Sequence, residues 1–155
     1  MSLRLNRKLP CRHAFVKRFI AVAPDALFPL GGYPGNEDKA RELFQKLEQP
    51  KSRADFVAAA QWLKALPAGN GKVGAVGYCL GGSLVWLAAG RLKGLAAGSA
   101  YYGSMIAANA ELSLKAPVVV HLGRKDAHIP ADEVKAKVQA AHPDMPVHIY
   151  ENSGH

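Results

Sequence analysis

The sequence predicts an α/β protein, a mostly parallel β-sheet flanked by helices. Short runs rich in Val and Ile, such as PVVVHLG and KVGAVGY, alternate with longer segments whose apolar residues recur at helical spacing. The links between them are short, which favours strand–helix–strand units and parallel pairing. A lone cysteine stands between two glycines at one of these junctions, in Gly77-Tyr78-Cys79-Leu80-Gly81.

The elements follow in order. FIAVAP, residues 19–24, is a short apolar run that reads as a buried parallel strand. DALFPLGGYPG, with two prolines and three glycines, reads as a loop. NEDKARELFQKLEQP predicts a helix with Asn36 as N-cap, acids in its first turn, an apolar face at Ala40, Leu43, Phe44 and Leu47, and a stop at Pro50. SRADFVAAAQWLKALP predicts a second helix, with Ser52 and Asp55 resembling a capping box and an end at Gly69 and Gly71. KVGAVGY is a strand and LGGSLVWLAAG a buried helix. GLAAGSAYYG reads as a strand ending near Tyr102, and SMIAANAELSLKA as a poorly patterned connection with room for a short helix. PVVVHLG is a strand, PADEVKAKVQAAHP a helix with Pro130 near its first position, and PVHIY a last strand before the loop ENSGH.

Composition bounds the function classes. With 155 residues and a hydrophobic fraction of 49%, the chain reads as one domain with a core of its own. No apolar run approaches the roughly 18–20 residues that cross a bilayer, and the N-terminus has no signal-type apolar stretch, so no membrane association is expected. Cys11 and Cys79 are too few for a disulfide framework, which points to a reduced, cytoplasmic setting. The net charge of +8 is concentrated: residues 1–18 hold six of the 20 basic side chains and no acid. That leaves 14 basic against 12 acidic residues, no basic stripe on a folded element, and no expectation of nucleic-acid binding. Residues 1–18 therefore read as an irregular, solvated basic segment, more so than a mitochondrial-type leader, which would be richer in serine and free of Pro10. Residues 19–155 read as the folded domain.

The chemistry centres on Cys79. A nucleophile elbow sets its central residue on a sharp strand-to-helix turn, with flanking glycines where a side chain would strike the neighbouring strand or helix. The N–H of the next residue, here Leu80, points at a developing oxyanion, and the helix N-terminus offers positive potential. The competing reading is a buried core thiol. A nucleophilic cysteine needs a base, and the base an orienting acid. In the chain order nucleophile, acid, histidine, the best acid is Asp126, just beyond a strand end, and the best histidine is His155, after the last strand. Asp132 and Asp144 look helical-surface or turn-forming. His121 and His148 lie inside strand patterns and His142 at a helix end, so all three read as packing or edge residues. His121, Asp126 and His128 lack the usual zinc spacing, so no metal and no cofactor is expected. Trp62 and Trp86 sit at core spacing.

FIAVAPD, GKVGAVGYCLGGSL, AYYG, APVVVHLGRKDAHIP and VHIYENSGH, in this order, resemble the dienelactone hydrolase family of α/β-hydrolases, over about residues 18–155. The resemblance implies a Cys79, Asp126 and His155 triad and hydrolysis of a small-molecule ester or lactone through an acyl-cysteine. It also marks departures. No stretch matches the family's upstream strands, or the loop that supplies a second oxyanion N–H and an acid controlling the cysteine. Substrate-holding arginines are unmatched, and so is a closing helix after the histidine. The expectation is an incomplete α/β-hydrolase fold, shortened at both ends. Two readings follow: a cysteine-dependent hydrolase, or a non-catalytic remnant serving as a binding or oligomerising module, with a bared sheet edge open to a second copy in a homodimer.

Overall fold

The computed structural model describes residues 11–16 and 19–155, with side chains from Phe19 onward. The chain falls into two compact units, Met1–Gly71 and Lys72–His155.

In the first unit β1 (Cys11–Val16) pairs antiparallel with β2 (Phe19–Pro24), from Cys11 opposite Pro24 to Val16 opposite Phe19. Two expectations change here. Part of the segment read as irregular is a strand, and β2 is neither parallel nor buried: its residues alternate between exposed and half-buried, with Phe19 76% exposed. CRHAFV lacks clean alternation, so nothing local announces the strand. The partner does, by satisfying its backbone N–H and C=O groups. The loop Phe28–Leu30 is a single 3₁₀ turn.

Helix α1 (Glu37–Gln45) begins as expected, with Asn36 Oδ1 accepting from Lys39 N–H at 3.0 Å. It ends before Pro50. Helix α2 (Gln49–Lys64) takes Pro50 into its first turn, where a missing N–H costs nothing. Ser52 therefore lies inside α2, buried, with its N–H bonded to Glu48 C=O, and is no cap. Asp55 pairs instead with Lys51 at 3.2 Å.

The second unit carries a four-stranded parallel sheet in the order β3 (Val73–Tyr78), β4 (Leu95–Tyr101), β5 (Val118–Gly123), β6 (Val147–Tyr150). Helix α3 (Leu80–Arg91) lies on β3 and β4, and α4 (Ala131–Ala141) connects β5 to β6. Pro130 stands at the α4 N-cap position, one place before that expected. The core is α3 against the sheet: Val85, Trp86, Ala89, Ala100 and Val120 are all fully buried. Trp86 Nε1–H donates to Asn109 C=O at 2.8 Å, so its polar atom is satisfied where its ring is dry. Trp62 is half-buried. Register lines up the strand ends: Tyr78 opposes Tyr101, Tyr101 opposes His121, and His121 opposes His148. Parallel strands in register bring their C-terminal ends to one edge, where the loops that follow must meet.

Candidate active site

Cys79 sits between β3 and α3 with φ +54°, a conformation costly for any residue but glycine. It is held there by backbone bonds on both sides. Its N–H donates to Tyr101 C=O at 3.1 Å, and its C=O accepts Ser83 N–H at 3.2 Å. Cys79 is exposed, so it is not a core thiol. Leu80 is the first residue of α3, and the first N–H groups of a helix have no intrahelical acceptor.

The glycines divide the work unequally. A Cβ on Gly77 would lie 2.1 Å from Gly81 O, so strand and helix touch backbone to backbone across the turn. Gly81 itself faces open space, with nothing within 4 Å of a Cβ, contrary to the expectation that both flanking glycines avoid a collision. The second contact-making glycine is Gly82, whose Cβ would lie 2.2 Å from Tyr101 O. Gly77 and Gly82 together press α3 onto β3 and β4.

Asp126 and His155 meet directly. His155 Nδ1 lies 2.8 Å from Asp126 Oδ2. The ionised carboxylate only accepts, so the ring donates from Nδ1 and leaves Nε2 free to take a proton. The other carboxylate oxygen, Oδ1, accepts from His128 N–H at 2.8 Å and Ile129 N–H at 3.1 Å. The Asp126 side chain is 1% exposed, and burial pushes its carboxyl up; the His128 N–H, the His155 ring and the Ile129 N–H outweigh that and hold it below the ordinary carboxylate range.

Residues the sequence did not mark complete the arrangement. Tyr102 follows the residue that holds Cys79, is itself at φ +36°, and lays its ring 4.5 Å from the His155 ring, centroid to centroid. A backbone bond from Tyr102 N–H to His121 C=O, 2.8 Å, ties it to β5. Cys79 and His155 are therefore joined through the Tyr101–Tyr102 strand end. Gly123 is bare because a Cβ would strike Gly154 O at 2.4 Å and Ser153 O at 2.6 Å. Its signal in the sequence is a glycine closing a strand three residues before the acid. His121 and His142 take structural places. His121 Nδ1 and Tyr150 OH are 2.9 Å apart, the His121 ring stacks on Tyr101 at 4.2 Å, and His142 Nε2 meets Ala110 O at 2.9 Å. Burial, and then the neighbouring His148, depress the His121 imidazole. Asp132 is turned to Arg124. Among the described residues no helix is long and apolar enough to cross a membrane.

Comparison with known proteins agrees with this architecture. The family model of the dienelactone hydrolase family matches residues 6–155, so it begins ahead of the residue-18 boundary and includes β1. Carboxymethylenebutenolidase of Pseudomonas putida is 34% identical over 123 residues, covering 76% of this chain and 51% of that protein. Protein usf of Aquifex pyrophilus is 32% identical over 160 residues, covering 97% of this chain and 68% of that one. A crystal structure from Klebsiella pneumoniae, provisionally named a dienelactone hydrolase, superposes with a TM-score of 0.73 at 28% identity, over 88% of this chain and 63% of that one. A Pyrococcus furiosus esterase shares the fold, with a TM-score of 0.60 at 15% identity. The chain spans about half the length of the Pseudomonas carboxymethylenebutenolidases, 51% in each case. With nearly the whole sequence matched and the parallel sheet shared, this chain belongs to the dienelactone hydrolase family.

Proposed function

We propose that the chain hydrolyses carboxylic ester or lactone bonds through Cys79, His155 and Asp126. The observation that carries this reading is the 2.8 Å bond from His155 to Asp126 at the sheet edge that also holds the strained, exposed Cys79. The relatives named carboxymethylenebutenolidase support it as well. In this mechanism His155 Nε2 takes the Cys79 proton as Sγ attacks the substrate carbonyl carbon. The C–S bond forms, the carbonyl electrons move to oxygen, and Leu80 N–H donates to that oxyanion. The C–O bond then breaks, and the leaving alkoxide takes the proton from His155. In a lactone the leaving oxygen stays tethered to the acyl chain. A water, losing its proton to His155, attacks the thioester, and Cys79 departs as thiolate and is reprotonated. Asp126 keeps the ring in the tautomer that leaves Nε2 open.

Turnover of p-nitrophenyl acetate by wild type, Cys79→Ala and His155→Ala tests the assignment. Both variants are expected to lose about 1,000-fold or more, as members of one catalytic unit do. Undiminished turnover by Cys79→Ala would sink it. A folded wild type with no turnover and a Cys79 inert to iodoacetamide would leave the elbow as architecture only. The binding-module reading, with a second copy on the sheet edge, would then stand.

A further inference from the structure

The segment that brings His155 to Asp126 has little apolar anchorage, since residues 151–155 are all exposed. It is laced to the loop after β5 instead. Arg124 N–H donates to Tyr150 C=O at 3.0 Å, and Lys125 N–H to Ser153 C=O at 2.9 Å. Side chains repeat the pattern. Arg124 Nε and Nη2 each reach Glu151, at 3.1 Å to Oε2 and 3.1 Å to Oε1, and Nη1 donates to Asp132 Oδ2 in the first turn of α4. Lys125 Nζ reaches Asn152 Oδ1 at 3.3 Å. One guanidinium thus ties three segments: the end of β5, the loop after β6 and the start of α4.

We infer that Arg124 is a positioning residue, which through its two-pronged bond to Glu151 holds residues 151–155 so that the His155 ring lies on Asp126. Its kinetic consequence rests on the hydrolase reading above; its structural consequence does not. An isolated exposed ion pair contributes little to stability. This one differs in geometry. The planar fork matches the carboxylate with two parallel bonds, which a lysine does not reproduce, and a second acid completes a network. The tie also joins the neighbours of the two residues that must meet: Arg124 stands two residues before Asp126, and Glu151 four before His155. Little stability is at stake, but a displacement of about 1 Å at such a pair costs up to about 100-fold in rate.

The test compares Arg124→Ala, Arg124→Lys and Glu151→Gln in the whole chain, each first shown folded by circular dichroism. Long-range proton–nitrogen NMR of the His155 ring reads the tautomer without any need for turnover. The wild type is expected to show the Nδ1–H form, and Arg124→Ala and Glu151→Gln a mixture. With p-nitrophenyl acetate, kcat should fall about tenfold in Arg124→Ala while KM stays within about twofold, and Arg124→Lys should recover part of the loss. Placed on Asp126→Asn, Arg124→Ala should cost no more than about twofold further, because its effect passes through that carboxylate. An unchanged tautomer in Arg124→Ala, or losses that multiply fully with Asp126→Asn, would overturn the inference. A wild type without turnover would count against the hydrolase reading alone, and the ring spectra would still decide the role of Arg124.

Discussion

The two sides of the candidate site are built from different materials. Cys79 is seated by backbone against backbone: Gly77 on Gly81, Gly82 on Tyr101, with α3 rooted by a fully buried Trp86. His155 is seated by polar lacing at the surface, where its own side chain is 36% exposed and residues 151–154 ahead of it are all exposed. The first arrangement tolerates strain, because a packed core over-determines the backbone at φ +54°. The second is adjustable: hydrogen bonds and ion pairs open to water yield to small displacements. The nucleophile side should therefore fail by unfolding, and the histidine side by losing activity while the fold survives.

The sharpest way to break that contrast is to fill Gly77. Gly77→Ala puts a methyl 2.1 Å from the carbonyl oxygen of Gly81, an atom with no rotamer to retreat into. It should cost about 3 kcal/mol or more by urea denaturation. Gly81→Ala is its control. With nothing within 4 Å and a helical position, it should be neutral or stabilising by up to about 1 kcal/mol. Equal losses at both positions would mean that the strand-to-helix contact does not set the turn.

Next in size is Gly123→Ala. The new methyl would push the backbone of Ser153 and Gly154 away from β5, and His155 with it. About a 100-fold loss in kcat/KM for p-nitrophenyl acetate is expected, with a thermal midpoint close to that of the wild type. A variant that unfolds at this position would place the histidine loop in the same class as the elbow.

The smallest effect is the acid limb of stability. The folded structure holds the Asp126 carboxyl below its ordinary value, despite burial, through His128 N–H, the His155 ring and Ile129 N–H. A depressed carboxyl contributes stability that is present above its unfolded pKa and lost as the pH falls through its folded one. As the pH falls through the ordinary carboxylate range and below it, the wild type should lose more thermal stability than Asp126→Asn, which has no such proton to take up. Parallel pH curves for the two proteins would mean that the carboxylate is not favoured by folding.

Several features are legible in the sequence. The strand–cysteine–helix junction, the N-cap at Asn36 and the alternation of strands and helices from Val73 onward all rest on local patterns: spacing, glycine and β-branched runs. The chain order of Cys79, Asp126 and His155 points to the loops after β5 and β6, where the acid and the histidine meet. Other features had no local trace. Strand β1 exists through its partner β2. Pro50 opens a helix where it was expected to close one, since the same proline serves either position. Arg124, Glu151 and Asp132 read as ordinary surface charges until the fold brings them together. Tyr102 reads as one of two adjacent tyrosines until its ring is found against His155.

By itself the sequence determined the class of fold, the turn at Cys79 and the candidates for acid and base, because period, capping and steric need at a glycine act over a few residues. Tertiary structure alone decided which glycine flanking Cys79 carries the contact, which face of Asp126 meets the His155 ring, and what holds that ring in place. The last two depend on groups far apart in the chain, Asp126 and His155 by 29 residues and Arg124 and Glu151 by 27. Their meeting is set by the in-register ends of parallel strands, not by any spacing along the chain.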